Sequence, residues 1–335
     1  RFNGASWEQV GAASFLAGHA RSTSLALDSA GQPYLAYKDN DNGDKASVTR
    51  FNGTSWEQVG AAGFSLASIY NYDTPQLALD SSDIPYVAYR DDADDRKVSV
   101  MRFNDTNWEQ VGEAFFFPGS ASVYNISLVL DSSGSTPYVA FNYRDRDNNN
   151  SYKVGVMRFN GTSWEQVGAA FFSSYDINLA FDSNSALYVA YRDCRDYADG
   201  YGCKASVMSF NGASWEQVGA AGFSPDSADD ISLALDSSGR PYVAFNYWDS
   251  TNYSNKVGVM RFNGTSWEQV GAAGFSSDSV YYDSIQLALD SRGTPYVAFR
   301  YWDNTNNSSK IGVMRFVPDI AITPVYELLL LKKKQ

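Results

Sequence analysis

Short runs of aspartate are the first residues in this chain whose types and spacing could do chemistry. Asp39, Asp41 and Asp44, then Asp91, Asp92, Asp94 and Asp95, then Asp145 and Asp147 fall in polar stretches that follow apolar runs. Hard oxygen ligands at alternating positions are what calcium takes. The spacing is not that of an EF-hand, since Gly43 stands where DNDNGD should offer a ligand. Solvated acidic loops are the plainer reading. No cofactor is therefore required, and calcium is the one to test, at Asp91, Asp92, Asp94, Asp95, Asp145 and Asp147.

Nucleophilic chemistry has little to work with. His19 is the only histidine, so a Ser–His–Asp triad could be built only around it. A carboxylate-pair glycosidase needs no histidine, but such a site requires one repeat to diverge from the others, and none stands out. The S-x-D-x-G-x-x-W box of sialidases is absent. The expectation is no enzyme. Cys194 and Cys203, the only cysteines, flank a polar stretch in DCRDYADGYGCK. A disulfide across that loop is expected, and it implies an oxidising compartment. Zinc would lack ligands. Sequons at Asn52, Asn104, Asn125, Asn149, Asn160, Asn252, Asn263, Asn306 and Asn307 point the same way, to an extracellular or cell-surface protein.

The elements that position these residues are repeats. RFNGTSWEQVGAAGF occurs at Arg50–Phe64 and Arg261–Phe275, with near-copies from Arg1, Arg102, Arg158 and Ser209. A second phrase, of the type LALDSSGxPYVAY, alternates with it and carries Asp28, Asp80, Asp131, Asp182, Asp236 and Asp290. The period of about 50 residues marks a propeller-like array. Each repeat parses into four strands: A (LALDS), B (PYVAY), C (KVGVMRF) and D (SWEQVG). Proline opens strand B, where a missing N–H costs least. Asn-Gly between C and D reads as a two-residue hairpin turn, which would set Met101 opposite Trp108.

Six such units predict an all-β fold, a six-bladed propeller of four-stranded antiparallel blades. The chain opens on a lone strand D and its last repeat stops at strand C. Blade 6 is thus expected to combine 286–316 with 1–12, closing the ring through the N-terminal strand and covering an open edge. The propeller would span 1–316. The tail 317–335 leaves the repeat, and its Leu328–Leu331 run is too short to span a bilayer.

LALDSSGRPYVAF at Leu233–Phe245 resembles the NHL type of six-bladed propeller repeat. That resemblance implies a scaffold used mainly for binding and says nothing of the ligand. The double glycine of kelch repeats and the GH and WD dipeptides of WD40 repeats are missing.

With a formal charge of −12, the chain offers no basic face for nucleic acid. The loops that vary between repeats are B–C and D–A, which share one face, and such loops are where function resides. They carry Tyr70, Tyr72, Tyr124, Tyr175, Tyr281, Tyr282, Trp248 and Trp302. Trp248 and Trp302 hold matching places in YWD, after Tyr247 and Tyr301. With Tyr281 and Tyr282 they form the candidate ligand site. Lys38, Arg90, Arg192 and Arg300 recur at one B-strand position and read as part of the repeat. The expected function is a non-catalytic binding module for a glycan or protein. The alternatives are a structural subunit of an extracellular assembly, self-assembling through the tail, and a carboxylate-based glycoside-processing enzyme.

Overall fold

The computed structural model describes residues 8–317 except 13–14, 17, 71–72, 93–96, 114–122, 132, 146–150, 173–175, 195–201, 252, 277–278, 282–284 and 304–306. Six antiparallel sheets follow one another along the chain, each taking its strands in sequence order. Blade 1 consists of Ala20–Leu27, Pro33–Asp39, Lys45–Phe51 and Trp56–Gln58. Blades 2 to 5 repeat this order, and blade 3 adds a short strand, Phe171–Phe172. Blade 6 shows Gln286–Leu289, Pro295–Asp303 and Ser308–Arg315. The protein is an all-β six-bladed propeller, and helix among the described residues is limited to a 3-10 turn at Asn40–Asn42.

Burial follows from the period of two. Both faces of each blade meet a neighbour, so strand B reads as an almost continuous apolar run. Five core clusters fill the five interfaces between consecutive blades. Val87, Val139, Val189 and Val243, at one B-strand position, are fully buried. Blades 6 and 1 share no such cluster among the described residues. Arg1–Trp7 and the tail from 318 onward lie outside the described residues.

The C–D turn differs from the two-residue hairpin expected. Phe103 pairs with Trp108, Arg102 with Glu109 and Met101 with Gln110, so the loop has four residues. Asparagine is the reason. The Asn104 side-chain oxygen accepts from the N–H groups of Thr106 and Asn107 (3.1 and 2.7 Å), which folds the loop on itself. Only the next residue needs positive φ: 72° at Asp105, 95° at Gly53. Asn211 makes the same pair of bonds in N-G-A-S, which is no sequon, so this asparagine is a turn residue in its own right. The cross-strand Arg–Glu pairs beside it, such as Arg50–Glu57, are half-exposed and worth about 0–1 kcal/mol each.

The A–B turn is built the same way. Asp28, Asp80, Asp131, Asp182, Asp236 and Asp290 each accept backbone N–H groups of their own turn. In Asp131 and Asp236 burial pushes the carboxyl pKa up, but the donated hydrogen bonds outweigh it and the net shift is down. In Asp290 the Thr294 N–H is the main cause of a shift in the same direction. A carboxyl whose folded pKa lies below its unfolded value, about 3.9, stabilises the fold above that pH and stops doing so as pH falls through the folded value. Thermal melts should therefore be flat from about pH 7 to 5 and drop steeply below about pH 4. A melting point unchanged at about pH 3 would show that these turns contribute nothing.

Candidate functional site

Strand A is the innermost strand of each blade, so one of its edges faces the propeller axis without a strand partner. Unpaired edge N–H groups need acceptors. The preceding blade supplies them. Ser24 Oγ accepts from Leu77 N (3.1 Å), Ser127 Oγ from Leu179 N (3.0 Å), Asn178 Oδ1 from Leu233 N (3.1 Å) and Ser232 Oγ from Leu287 N (3.0 Å). Two residues earlier a bulge places a second polar side chain on the axis. Ser22, Asp176 and Asp230 hold positive φ there, at 49°, 53° and 59°. Asp176 Oδ2 accepts from Asp230 N (2.9 Å), Asp230 Oδ2 from Ile285 N (2.8 Å), and Asn125 Nδ2 reaches Asp176 Oδ1 (3.4 Å).

At the axis lies a cavity of about 280 Å³, with Asp73, Asn125, Asp176, Asp230, Gln76 and Gln286 in its wall. It opens where the D–A connections enter strand A, on the face that carries the variable loops. Blades 2 to 6 all contribute. Three carboxylates among amides make the mouth acidic and dense in hydrogen-bonding groups, which is chemistry suited to a polyhydroxylated ligand.

Cations brace the mouth from behind. The buried Arg90 guanidinium forks onto Asp73 and also donates to Val123 O of blade 3. Arg192 Nη1 lies 2.6 Å from Asp229 of blade 5. Lys38 Nζ donates to Ile69 O (2.9 Å) of the loop entering blade 2. In these three blades the recurring B-strand cation therefore ties one blade to the next. Arg300 differs, stacking on Tyr281 at 4.3 Å and donating to Ser309 Oγ.

The aromatic corner expected on blades 5 and 6 is only partly assembled. Trp302 meets Tyr281 edge-on at 6.4 Å, and the loop Ser279–Tyr281 pairs with the end of strand B through Trp302 N to Ser279 O (3.0 Å) and Tyr281 N to Arg300 O (2.9 Å). Trp248 is 47 % exposed on the same face. No ring contact joins it to Trp302 among the described residues. Tyr247 belongs to the core between blades 4 and 5, and Tyr301 packs on the core between blades 5 and 6. Tyr282 lies outside the described residues, as do Tyr72 and Tyr175.

The calcium ligands considered from sequence fall on different blades. Asp91 is fully buried in blade 2, and Asp145 of blade 3 forms a 2.7 Å ion pair with Lys153. Asp92 is described and exposed, while Asp94, Asp95 and Asp147 are not described. Among the described residues no group of three or more His, Cys, Asp and Glu is placed so that it could hold a metal ion. Cys194 and Cys203 are joined in a disulfide. No helix among the described residues is long and apolar enough to cross a membrane.

No protein-family model and no curated sequence matches the chain, so the NHL resemblance stops at the six-bladed architecture. Solved structures do match. A protein of unknown function from Dyadobacter fermentans aligns with TM-score 0.57 at 12% identity, over 89% of this chain and 95% of that one. An α-L-arabinanase from Penicillium chrysogenum, complexed with arabinobiose, aligns with TM-score 0.52 at 12% identity, over 90% and 94%. An α-L-arabinofuranosidase from Fusarium graminearum, bound to an iminosugar inhibitor, aligns with TM-score 0.52 at 11% identity, over 89% and 92%. What they share with this chain is the fold. They correct the expectation of a non-catalytic binding module or structural subunit, and of a protein that is no enzyme. That expectation took the propeller for a binding scaffold, and this architecture is one on which carbohydrate-cleaving enzymes are built.

The axial carboxylates were missed because the repeats looked equivalent. Aligned on strand A, they read STSLAL, TPQLAL, NISLVL, DINLAF, DISLAL and SIQLAL. Aspartate leads only in blades 4 and 5, and that divergence is the available signal. The brace behind the mouth has its own test. Asp73→Asn leaves the buried Arg90 charge without its partner and should lower unfolding free energy by about 3 kcal/mol. Urea unfolding reads this directly, and a loss under about 0.5 kcal/mol would place the pair in effective solvent contact.

Proposed function

We propose that this protein is a carbohydrate-processing enzyme that cleaves glycosidic bonds at the axial mouth, with Asp176 and Asp230 as its carboxylate pair. The observation that carries the reading is the pair's placement. The two carboxylates stand on adjacent blades, joined through the Asp230 N–H, in the wall of a polar cavity on the variable-loop face. In glycoside hydrolysis one carboxylic acid gives its proton to the leaving oxygen. The other, as carboxylate, activates water or attacks the anomeric carbon. The C–O bond breaks, and the elements of water are added across it. The sugar-cleaving propellers that share the fold support this class of reaction. Trp248, exposed on the same face and on the blade that carries Asp230, offers a flat surface for a further sugar ring. The disulfide favours secretion into an oxidising compartment, where polysaccharides are met.

Asparagine keeps an oxygen that can accept the Asp230 or Ile285 N–H, so Asp176→Asn and Asp230→Asn should fold. Each should cut the rate by about 100-fold or more, the scale of lost acid–base catalysis. The measurement is reducing-sugar release from a polysaccharide panel that includes arabinan. Release by both variants at the parent rate, or no release from any polysaccharide, would overturn the assignment. Trp248→Ala should raise KM while kcat and the melting point hold. An unchanged KM would remove this ring from the substrate path.

A further inference from the structure

Blades 5 and 6 carry the same B–C hairpin in two versions. Asp249 pairs with Ser254 and Asp303 with Ser308, so the loops are 250–253 and 304–307. The residue that closes each loop is left-handed, Tyr253 at φ 49° and Asn307 at φ 48°. Trp248 and Trp302 stand at matching places on strand B, opposite Asn255 and Ser309.

In blade 6 both places serve the hairpin itself. Asn307 is of a residue type that tolerates the left-handed region, and Trp302 is half-buried with Tyr281 edge-on to it. Blade 5 departs at both. A tyrosine is bulky for a conformation that favours glycine and asparagine, so the turn does not ask for Tyr253. Tyr253 is also 80 % exposed, and Trp248 is exposed beside it. Among the described residues neither side chain meets another ring or makes a hydrogen bond. The fold therefore gains little packing from either ring. Strain kept at an exposed aromatic position points to a use outside the fold.

Placement says what that use is. Strand A of blade 5 pairs Ala228 with Tyr247 and Asp229 with Asn246, and Asp230 follows in the bulge, in the wall of the axial cavity. Trp248 lies two residues beyond Asn246 on strand B, about 7 Å further toward the variable-loop face, and Tyr253 stands past it in the turn. The base of the hairpin is held, since Asn255 O accepts from Val280 N (3.0 Å) of the loop entering blade 6. Two flat rings thus lead outward from the cavity on the blade that carries Asp230. An aromatic face covers the C–H face of a sugar ring, and two in series suit successive units of a chain. Charge selects among such chains. Three carboxylates at the mouth and a formal charge of −12 repel a polyanion.

We propose that Trp248 and Tyr253 form an outlying subsite that grips a neutral polysaccharide chain beyond the bond to be cleaved. This subsite rests on the axial mouth being where cleavage occurs, and it adds the length and charge of the substrate. Tyr253 costs the turn some stability, and Asn307 is the residue the turn alone would hold.

The test is affinity electrophoresis in native gels cast with soluble arabinan, arabinoxylan or galactan. It needs no turnover, so it reads the subsite apart from catalysis. At least one of these polymers should retard the parent protein. Tyr253→Ala and Tyr253→Asn should weaken that binding by about 10-fold, and Tyr253→Phe, which keeps the ring, should restore it. Tyr253→Asn should also raise the melting point by about 1 °C, because asparagine suits the left-handed turn. Retardation by none of the three polymers, or equal retardation of the parent and Tyr253→Asn, overturns the proposal, while the axial carboxylates stand or fall by sugar release. Stronger retardation by polygalacturonate than by the neutral polymers overturns the choice of a neutral chain. A melting point lowered by Tyr253→Asn would make the tyrosine a packing residue and overturns the subsite as well.

Discussion

An indole N–H donated to a valine carbonyl is the contact on which the rest of this structure depends. In blades 1 to 4 the WEQVG segment completes its own blade as the outermost strand and then offers the next blade's tryptophan a valine carbonyl and a bare glycine: Val59 O to Trp108, Val111 O to Trp164, Val167 O to Trp215 and Val218 O to Trp267. Gly60 shows why the motif tolerates so little change. Its φ is +65°, and a Cβ there would stand 2.7 Å from the Phe103 ring. Tryptophan, valine, glycine and phenylalanine recur because they form one joint, repeated around the rim.

The inner rim solves a different problem with different residues. Strand A keeps one edge toward the axis, where a neighbouring blade can reach it only by side chain. Serine, asparagine and aspartate at two positions of this strand serve as acceptors for the next blade's N–H groups. The same requirement makes the axial mouth polar. The carboxylates proposed for catalysis thus sit at positions where the fold already uses an oxygen, as acceptors for Asp230 N and Ile285 N, and they add charge without altering the scaffold.

The blades also fall into two kinds. In blades 1, 2 and 4 strand B carries Tyr-x-Asp opposite a serine of strand C, as Tyr37 and Asp39 with Ser47. In blades 3, 5 and 6 it carries Phe-x-Tyr opposite a glycine, as Phe141 and Tyr143 with Gly155. A Cβ at Gly155 would lie 3.0 Å from the Phe141 ring, so the two exchanges are coupled. Tyr143, Tyr247 and Tyr301 are therefore placed by core packing, which is why Tyr247 and Tyr301 of the expected aromatic corner pack inward while Trp248 stays exposed.

The sequence alone determined the number of blades, the order of strands within each and the face on which the variable loops lie. Those follow from periodicity and turn chemistry, which are local. It also identified Cys194 and Cys203 as partners, since they lie 9 positions apart across one polar loop. The C–D turn was misread at the same local level, because an asparagine side chain can fold a four-residue loop that Asn-Gly alone does not distinguish from a two-residue one. The axial site needed the tertiary structure. Asp73 and Asp176 lie two repeats apart along the chain and Asp176 and Asp230 one repeat apart, at places that read as ordinary strand starts, and only the ring brings them to one mouth. Which aromatic rings face solvent was likewise decided by the neighbour each blade packs against, a quantity no single repeat contains.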